Sequence, residues 1–384
     1  MIQRFAAAIC VVAIGASLVG WLGIGGNRNL NEVLELLDAG VGEEVIRAHI
    51  AVKGMTFELS ARDIARLKKA GASDGLLEFM IAGGTDDYPF ELDDGFLVGR
   101  PTVHRHLSVF PVFKKAAAEL GDYMTLDEAQ KAGLVVITER GGGSVPIVII
   151  KNRGNRPIFI MAGEVIIGGK QDRMVSYDVL IPPCEEIEVS VRCVEHGRWR
   201  GESPVFKSGG ALGSGGIRAA LQFKAQQDVW NEVSKACEEH DATSESGTYR
   251  AILRSGDVDD KSRPFMSALS RGLVGEDMVG VIMALNGEVV CVDIFVNPKF
   301  FARLKEKILK AYVLDAISTE EKSLMSPGRK EILGFFEELK VAEKDGLMEY
   351  GANRNTQFES EEIIGSESRD EEGVLQHLNL YRRR

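Results

Sequence analysis

Positive charge is in short supply. The 384-residue chain sets 46 Lys and Arg against 57 Asp and Glu, a formal net charge of -11. That balance excludes a long nucleic-acid partner held non-specifically, because such affinity rests on neutralising phosphates. Metal-ligand motifs are absent too. The five cysteines (Cys10, Cys184, Cys193, Cys237, Cys291) form no CxxC, and the six histidines form no HExxH, so no metal site built from a local motif is expected. The glycine-rich Arg140-Gly141-Gly142-Gly143 lacks a following Lys-Ser/Thr and stands between two strand-like runs. It reads as a hairpin turn rather than a phosphate loop. No cofactor is indicated.

Charge is missing altogether from Phe5 to Gly26. A run of that length spans a bilayer, serves as a signal peptide, or forms a buried helix. No A-x-A closes it, and Ile9 occupies the lipobox position that wants a small residue before Cys10. The expectation is a membrane-anchored protein with its body outside the cytoplasm, or an exported one.

What is present divides into four parts: 1–29, the anchor or signal; 30–82, a duplicated helical module; 83–94, a glycine- and acid-rich linker; and 95–384, a large domain. In the module, Val33, Leu36, Ala39, Gly40 and Ile50 recur 31 residues later as Ile64, Leu67, Ala70, Gly71 and Ile81. Each half reads as an amphipathic helix, an Ala-Gly stop and a second short helix, and neither buries its apolar stripe alone. Ser60 and Ser73 fit helix N-caps. The module reads as a spacer or docking unit.

In the large domain, Thr125-Leu126-Asp127-Glu128 has capping-box spacing. Leu134 to Glu139 and Val145 to Lys151 read as strands. Lys207 to Gly216 reads as a flexible loop, and Ile217 to Glu239 as one helix. Asn286-Gly287 between two apolar runs signals a tight hairpin. Helices are expected over 300–312 and 330–342, and a last strand over 374–381. Strands and helices without βαβ alternation predict an α+β fold, a strand-rich core with packed helices, preceded by the small all-α module and the apolar anchor.

The candidate site lies in 160–199. Two polar clusters, Gly163-Glu164 with Gly168-Gly169-Lys170-Gln171-Asp172-Arg173, and Cys193-Val194-Glu195-His196-Gly197-Arg198-Trp199, flank runs of period-two alternation over 174–181 and 187–194. If those runs pair, both clusters share one rim. Glu164 and Glu195 are the candidate acid and base, and two carboxylates in unlike surroundings divide their proton affinities. Arg173 or Arg198 is the expected ion-pair partner of Glu164, and an ion pair is the structural explanation of the same residues. Lys170 and Arg173 are candidates to clamp an anion, with Gln171, Arg198, Trp199 and Gln227 as further ligand contacts. Cys193 reads as a buried structural thiol.

The motifs GEVIIGGKQDR (163–173), CVEHGRW (193–199) and QDVW (227–230), with TLDEA (125–129) and VLQHLNLY (374–381), resemble those of the ADP-ribosylglycohydrolase and rhodanese-phosphatase associated protein family. The resemblance runs from about Leu107 to the C-terminus. It implies an enzymatic or ligand-binding domain connected with ADP-ribose and phosphate metabolism. Two functions follow. One is an enzyme acting at a glycosidic or phosphoester bond of a small anionic or nucleotide-like substrate. The other is a non-catalytic ligand-binding or protein-interaction module displayed at a membrane.

Overall fold

The structure, a computed structural model, describes residues 28–53, 55, 57, 59–81, 88–114, 121–141, 146–198 and 203–383. The uncharged run over 5–26 lies outside them. Among the described residues no helix is long and apolar enough to cross a membrane.

Four short helices come first: Arg28–Asp38, Glu43–Lys53, Ala61–Lys69 and Asp74–Ile81. Val33, Ile46, Ile50, Leu67 and Leu76 help close a core of their own. Ser60 caps the third helix by accepting from the Asp63 amide, and the Asp63 carboxylate accepts from the Ser60 amide in return. That reciprocal pair satisfies two amides the helix leaves bare.

From residue 88 onward the chain is mixed α+β around a strand-rich core. Its backbone is a ten-stranded antiparallel sheet. The centre of that sheet is Leu107–Lys114, Met278–Leu285, Glu288–Phe295 and Leu375–Arg382, side by side. Asn286 (φ 53°) and Gly287 (φ 90°) turn the central hairpin as their sequence predicts, because a two-residue turn of matching twist needs positive φ at both positions. A second unit, spliced into the chain between these strands, is a closed six-stranded barrel. Its order is Arg173–Val175, Glu186–Cys193, Ile147–Asn152, Val135–Glu139, Val205–Leu212 and Glu164–Gly168. Ile137, Val148, Ile166, Val175, Val191 and Phe206 fill it. The outer face of its strands, through Val165 and Met174, packs on Ile217, Leu221, Val229 and Val233 from two helices.

Four expectations are corrected. The run 174–181 is not one strand: Arg173–Val175 belongs to the barrel, and Val179–Ile181 pairs with Ile158–Ile160 in a separate three-stranded sheet. The segment 207–216 is not a loop up to Leu212, since Val205–Leu212 is the strand that closes the barrel. It needs its glycines: a side chain on Gly209 would press on Val165 at 3.0 Å, and the register shift between Ser208 and Leu212 bends the strand around the closure. The helix over 217–239 is two, Gly215–Phe223 and Gln226–Glu239, broken where Lys224 and Ala225 are extended. The helix over 300–312 is longer and runs Pro298–Ser318.

Large sheet and barrel meet over a buried chain of charges. Arg218, on the first of the two helices, grips Asp293 of the central sheet with both terminal nitrogens, at 2.9 and 2.6 Å. Asp293 also accepts from Tyr312 Oη at 2.8 Å. His377 stands between two carboxylates, with Nε2 3.0 Å from Asp293 and Nδ1 2.7 Å from Asp178. All four charged groups are buried. Two cations and two anions make the cluster neutral, the condition under which buried charge is tolerated. Burial alone would lower the proton affinity of His377, but Asp178 and Asp293 overcome it and raise its pKa to about 9. With an acceptor at each nitrogen, the ring is held as the doubly protonated imidazolium.

Two outcomes are expected. Arg218→Met, which leaves Asp293 without its main partner, lowers unfolding free energy by about 3–5 kcal/mol in urea titrations, and the double change Arg218→Met/Asp293→Leu recovers part of that loss. The His377 pKa is raised above its unfolded value of about 6.5, so its contribution is full below that pH. It fades as pH climbs and is gone above about 9, a loss on the order of 3 kcal/mol. Melting curves from pH 6 to 10 of the wild type and His377→Asn should converge at the alkaline end.

Candidate functional site

The two sequence clusters fold at the barrel, but not around one rim. Across the barrel wall Arg173 stands opposite Ile166 and Cys193. Residues opposite one another point to the same face, so Arg173 and Cys193 share the inner face with Ile166. Extending the register puts Glu164 level with Val175, and Glu195 level with Gln171. Glu164 and Glu195 are therefore separated along the strands alone by roughly 13 Å, four residue rises. The expected sharing of one rim by Glu164 and Glu195 is corrected on that ground. They sit at opposite ends of the strands.

At the Glu195 end, polar groups are knotted together. Arg198 donates through Nε to Glu195 Oε2 at 2.9 Å, through Nη2 to Asp172 Oδ1 at 3.0 Å, and through Nη1 to the Gly169 carbonyl at 3.0 Å. Glu195 Oε2 also accepts from the Asp172 amide at 2.9 Å. Asp172 Oδ2 accepts from Thr248 Oγ1 at 3.0 Å and meets Arg250 Nε at 3.0 Å. Burial, and then the nearby Glu195, push the Asp172 carboxyl up. Burial acts on Glu195 in the same sense, but Arg198 and the Asp172 amide outweigh it and hold its carboxyl below the usual range. Gln171 donates to the Glu195 carbonyl at 2.7 Å and accepts from Cys193 Sγ at 3.1 Å. Burial pushes the Cys193 thiol up to about 11, so it is no thiolate nucleophile at neutral pH. Arg173 lies buried inside the barrel over the Phe206 ring, 3.4 Å from Glu139. The Lys170 backbone amide donates to Glu139 at 2.8 Å. Trp199 lies outside the described residues.

Beside this knot is a polar cavity of about 310 Å³. Gln227 and Trp230 form one wall, and His196 and Gly197 another. The His196 ring meets Trp230 edge to face at 4.5 Å. Gln171, Arg173, Glu195, Arg198 and Gln227 thus occupy one region, and Glu164 is outside it.

Glu164 has a different partner from the one its sequence suggests. The Lys307 ammonium meets both of its carboxylate oxygens, at 2.9 and 2.7 Å, and Asp127 Oδ2 at 2.6 Å. Glu164 is fully buried, Lys307 nearly so, and Asp127 is 41% exposed. The last figure matters, because Asp127 is the member of the trio most exposed to solvent. Burial pushes the Glu164 carboxyl up in spite of Lys307. Burial would lower the Lys307 pKa, but the two carboxylates reverse this and raise it. Gly163 precedes Glu164 at φ 90°, and a side chain there would strike Arg218 at 2.6 Å. Glycine therefore lets the site and the buried charge cluster lie back to back. Lys307 lines a cavity of about 450 Å³, walled by Leu212, Ile252, Val258 and Leu314, with Arg263 and Lys310 also on its lining.

Lys307, Asp127 and Asp172 were not singled out by sequence reasoning. The one signal for Lys307 was its place on an apolar stripe, between Leu304 and Ala311, where a lysine must be paired to be buried. A test separates the two ends. Glu195→Gln leaves Arg198 half-paired and should cost on the order of 3 kcal/mol of stability, measured by denaturant unfolding. An unchanged midpoint would mean that the knot is not what holds the loop.

No curated protein and no solved structure matches the chain. Residues 95–381, which hold both the knot and the Lys307 trio, match the family model of the ARG and Rhodanese-Phosphatase-superfamily-associated Protein domain (ARPP-1), and the chain belongs to that family.

Proposed function

We propose that the domain binds a small anionic, nucleotide-like ligand in the cavity beside Lys307 and acts as a hydrolase or transferase at its glycosidic or phosphoester bond. The observation that carries this reading is a lysine fixed between a buried and a half-exposed carboxylate, on the wall of a cavity large enough for a small ligand. The raised pKa of Lys307 keeps it cationic at neutral pH. It serves as an electrostatic clamp for a ligand oxygen, not as an amine nucleophile. Its three protons are already engaged, by the two oxygens of Glu164 and by Asp127. An incoming anion competes with Asp127, the exposed partner, while Glu164 keeps its grip. Asp127, released from Lys307 while its other oxygen still accepts from Ser208 Oγ, takes the proton of the attacking water or acceptor hydroxyl. Lys307 stabilises the departing oxygen. Glu164 acts through Lys307 and is a positioning residue in this scheme. Glu195 stabilises the knot on the other side of the barrel.

A second reading, a non-catalytic binding module, is favoured by one observation. The cavity at His196, Gln227 and Trp230 offers hydrogen-bonding groups and an aromatic edge with which to hold a ligand. In either reading the charge-free run over 5–26 supports attachment to a membrane, with the body outside the cytoplasm, or export.

The test is thermal unfolding of the full chain with ADP-ribose, nucleotides, sugars and phosphate in turn. A ligand that binds the folded state alone raises Tm by mass action. At a hundredfold excess over Kd the gain is about 2.7 kcal/mol. The expected result is a rise with ADP-ribose or a nucleotide that Lys307→Met abolishes. Asp127→Asn should retain or tighten binding and lose turnover. If the rise survives Lys307→Met and disappears with Trp230→Ala, the binding-module reading stands instead. If no compound shifts the wild type, the ligand class is wrong.

A further inference from the structure

Away from the barrel, a cavity of about 760 Å³ opens where the N-terminal helices meet the large domain. One wall is built by Ile64 and Ile81, on two of those helices. The facing wall carries Arg100, Arg105 and Arg271, with Val103, Ala268 and Leu324 between them. Two acids, Glu78 and Glu321, also line it, and Arg105 engages Glu321 at 2.8 Å. Three cations against two anions leave the wall net positive. Its field reaches His104, whose proton affinity is lowered by burial first and then by Arg105, His106 and Arg271. Among the described residues Arg271 is exposed and makes no ion pair, on the rim of a space lined by both aliphatic and charged side chains.

This combination selects a ligand. A wholly polar anion would satisfy the arginines but not the aliphatic wall. A neutral apolar compound would leave the positive rim unanswered. One uncommitted guanidinium suits a head of one negative charge, and a planar carboxylate matches the guanidinium fork. We propose that this junction binds a single-chain amphiphile with a carboxylate head, a fatty-acid-like ligand. The head lies on Arg271, and the chain lies along Ile64 and Ile81. The proposal is independent of the Lys307 site. Ligand cavities form preferentially where two units meet, and a ligand touching both walls ties the N-terminal helices to the domain by its own binding energy.

The experiment is calorimetric titration of the full chain with dodecanoate, below its micelle concentration, and with uncharged dodecanamide. Dodecanoate should bind saturably at one site, and dodecanamide at least tenfold more weakly. Arg271→Gln should weaken dodecanoate at least tenfold. Ile64→Asp should do the same, with circular dichroism reporting whether the helices remain folded. The surface change Lys235→Gln should leave the affinity unchanged. The proposal is overturned if the folded wild type shows no saturable binding, if Arg271→Gln binds as the wild type does, or if the amide binds as tightly as the acid. Should Ile64→Asp unfold the helices, Arg271→Gln decides the matter by itself.

Discussion

The contact between Arg218 and Asp293 is the one on which the rest of the molecule turns. Asp293 is an inward residue of a central strand, Arg218 sits on the helix that backs the barrel, and each is inaccessible to water. Neither is tolerable there alone, because a bare charge in an apolar interior costs far more than any single contact returns. The sheet and the barrel-backing helix must therefore arrive together. His377 and Asp178 extend the requirement to the last strand and to the loop between the barrel and the small sheet. Asn353 and Asn355 then donate to the Asp178 carbonyl, at 3.1 and 3.0 Å, and bring in the outer strands. Polar groups buried together in this way tie the elements that carry them to one arrangement, even though Arg218 Nε and Asn355 Oδ1 make no hydrogen bond of their own among the described residues. Here the arrangement specified is the docking of the barrel on the sheet.

That constraint explains why the conspicuous residues divided as they did. Glu164 and the Glu195 group are close in sequence space but belong to opposite ends of barrel strands. Each end solved its own problem of buried charge. At one end Arg198 and Arg250 balance Asp172 and Glu195, a neutral set of four. At the other, Lys307 faces two carboxylates, and the sum is negative by one. The first set is turned inward, its nitrogens on its carboxylates and on backbone carbonyls, with one oxygen, Glu195 Oε1, buried and without a hydrogen bond among the described residues. The second has an exposed member, Asp127, and an adjoining cavity. Chemistry needs a group that can change partners, and Asp127 is better placed to do so than any carboxylate of the first set.

Much of the strand pattern was legible in the sequence because apolar alternation reports burial on one face. The strands expected over 134–139, 145–151 and 187–194 are found at Val135–Glu139, Ile147–Asn152 and Glu186–Cys193, and the hairpin announced by the turn pair Asn286-Gly287 is found there. The signal fails where the inward residue is polar. Asn353–Glu359 turns Asn353 and Asn355 inward, both buried, and Ile363–Asp370 turns Ser366 and Ser368 inward. Those strands look like loop in sequence because their burial is satisfied by hydrogen bonds, not by apolar surface. Glycine misled in the same way at Gly209, where the barrel needs close approach of strands rather than freedom of the chain. Pro264 hid the helix Gly256–Gly272, since proline inside a helix reads as its end. The Glu195 cluster was found because it is compact in sequence. The Glu164 trio draws on residues 127, 164 and 307, and no local pattern joins them.

The two buried charge systems are not separate devices. The helix Pro298–Ser318 carries Lys307 to Glu164 and, five residues later, Tyr312 to Asp293. Arg218, which grips Asp293, packs directly against the backbone at Gly163, next to Glu164. Lys307 is thus positioned through its own helix and through the strand it contacts, and both trace back to Asp293. A rigid helix transmits a shift at one contact to the next with little loss, because its packed interior has no slack to absorb it. The proton held by His377 neutralises the cluster that anchors Tyr312, and that anchor stands five residues from Lys307 on one helix, so the two buried charge systems share a single element.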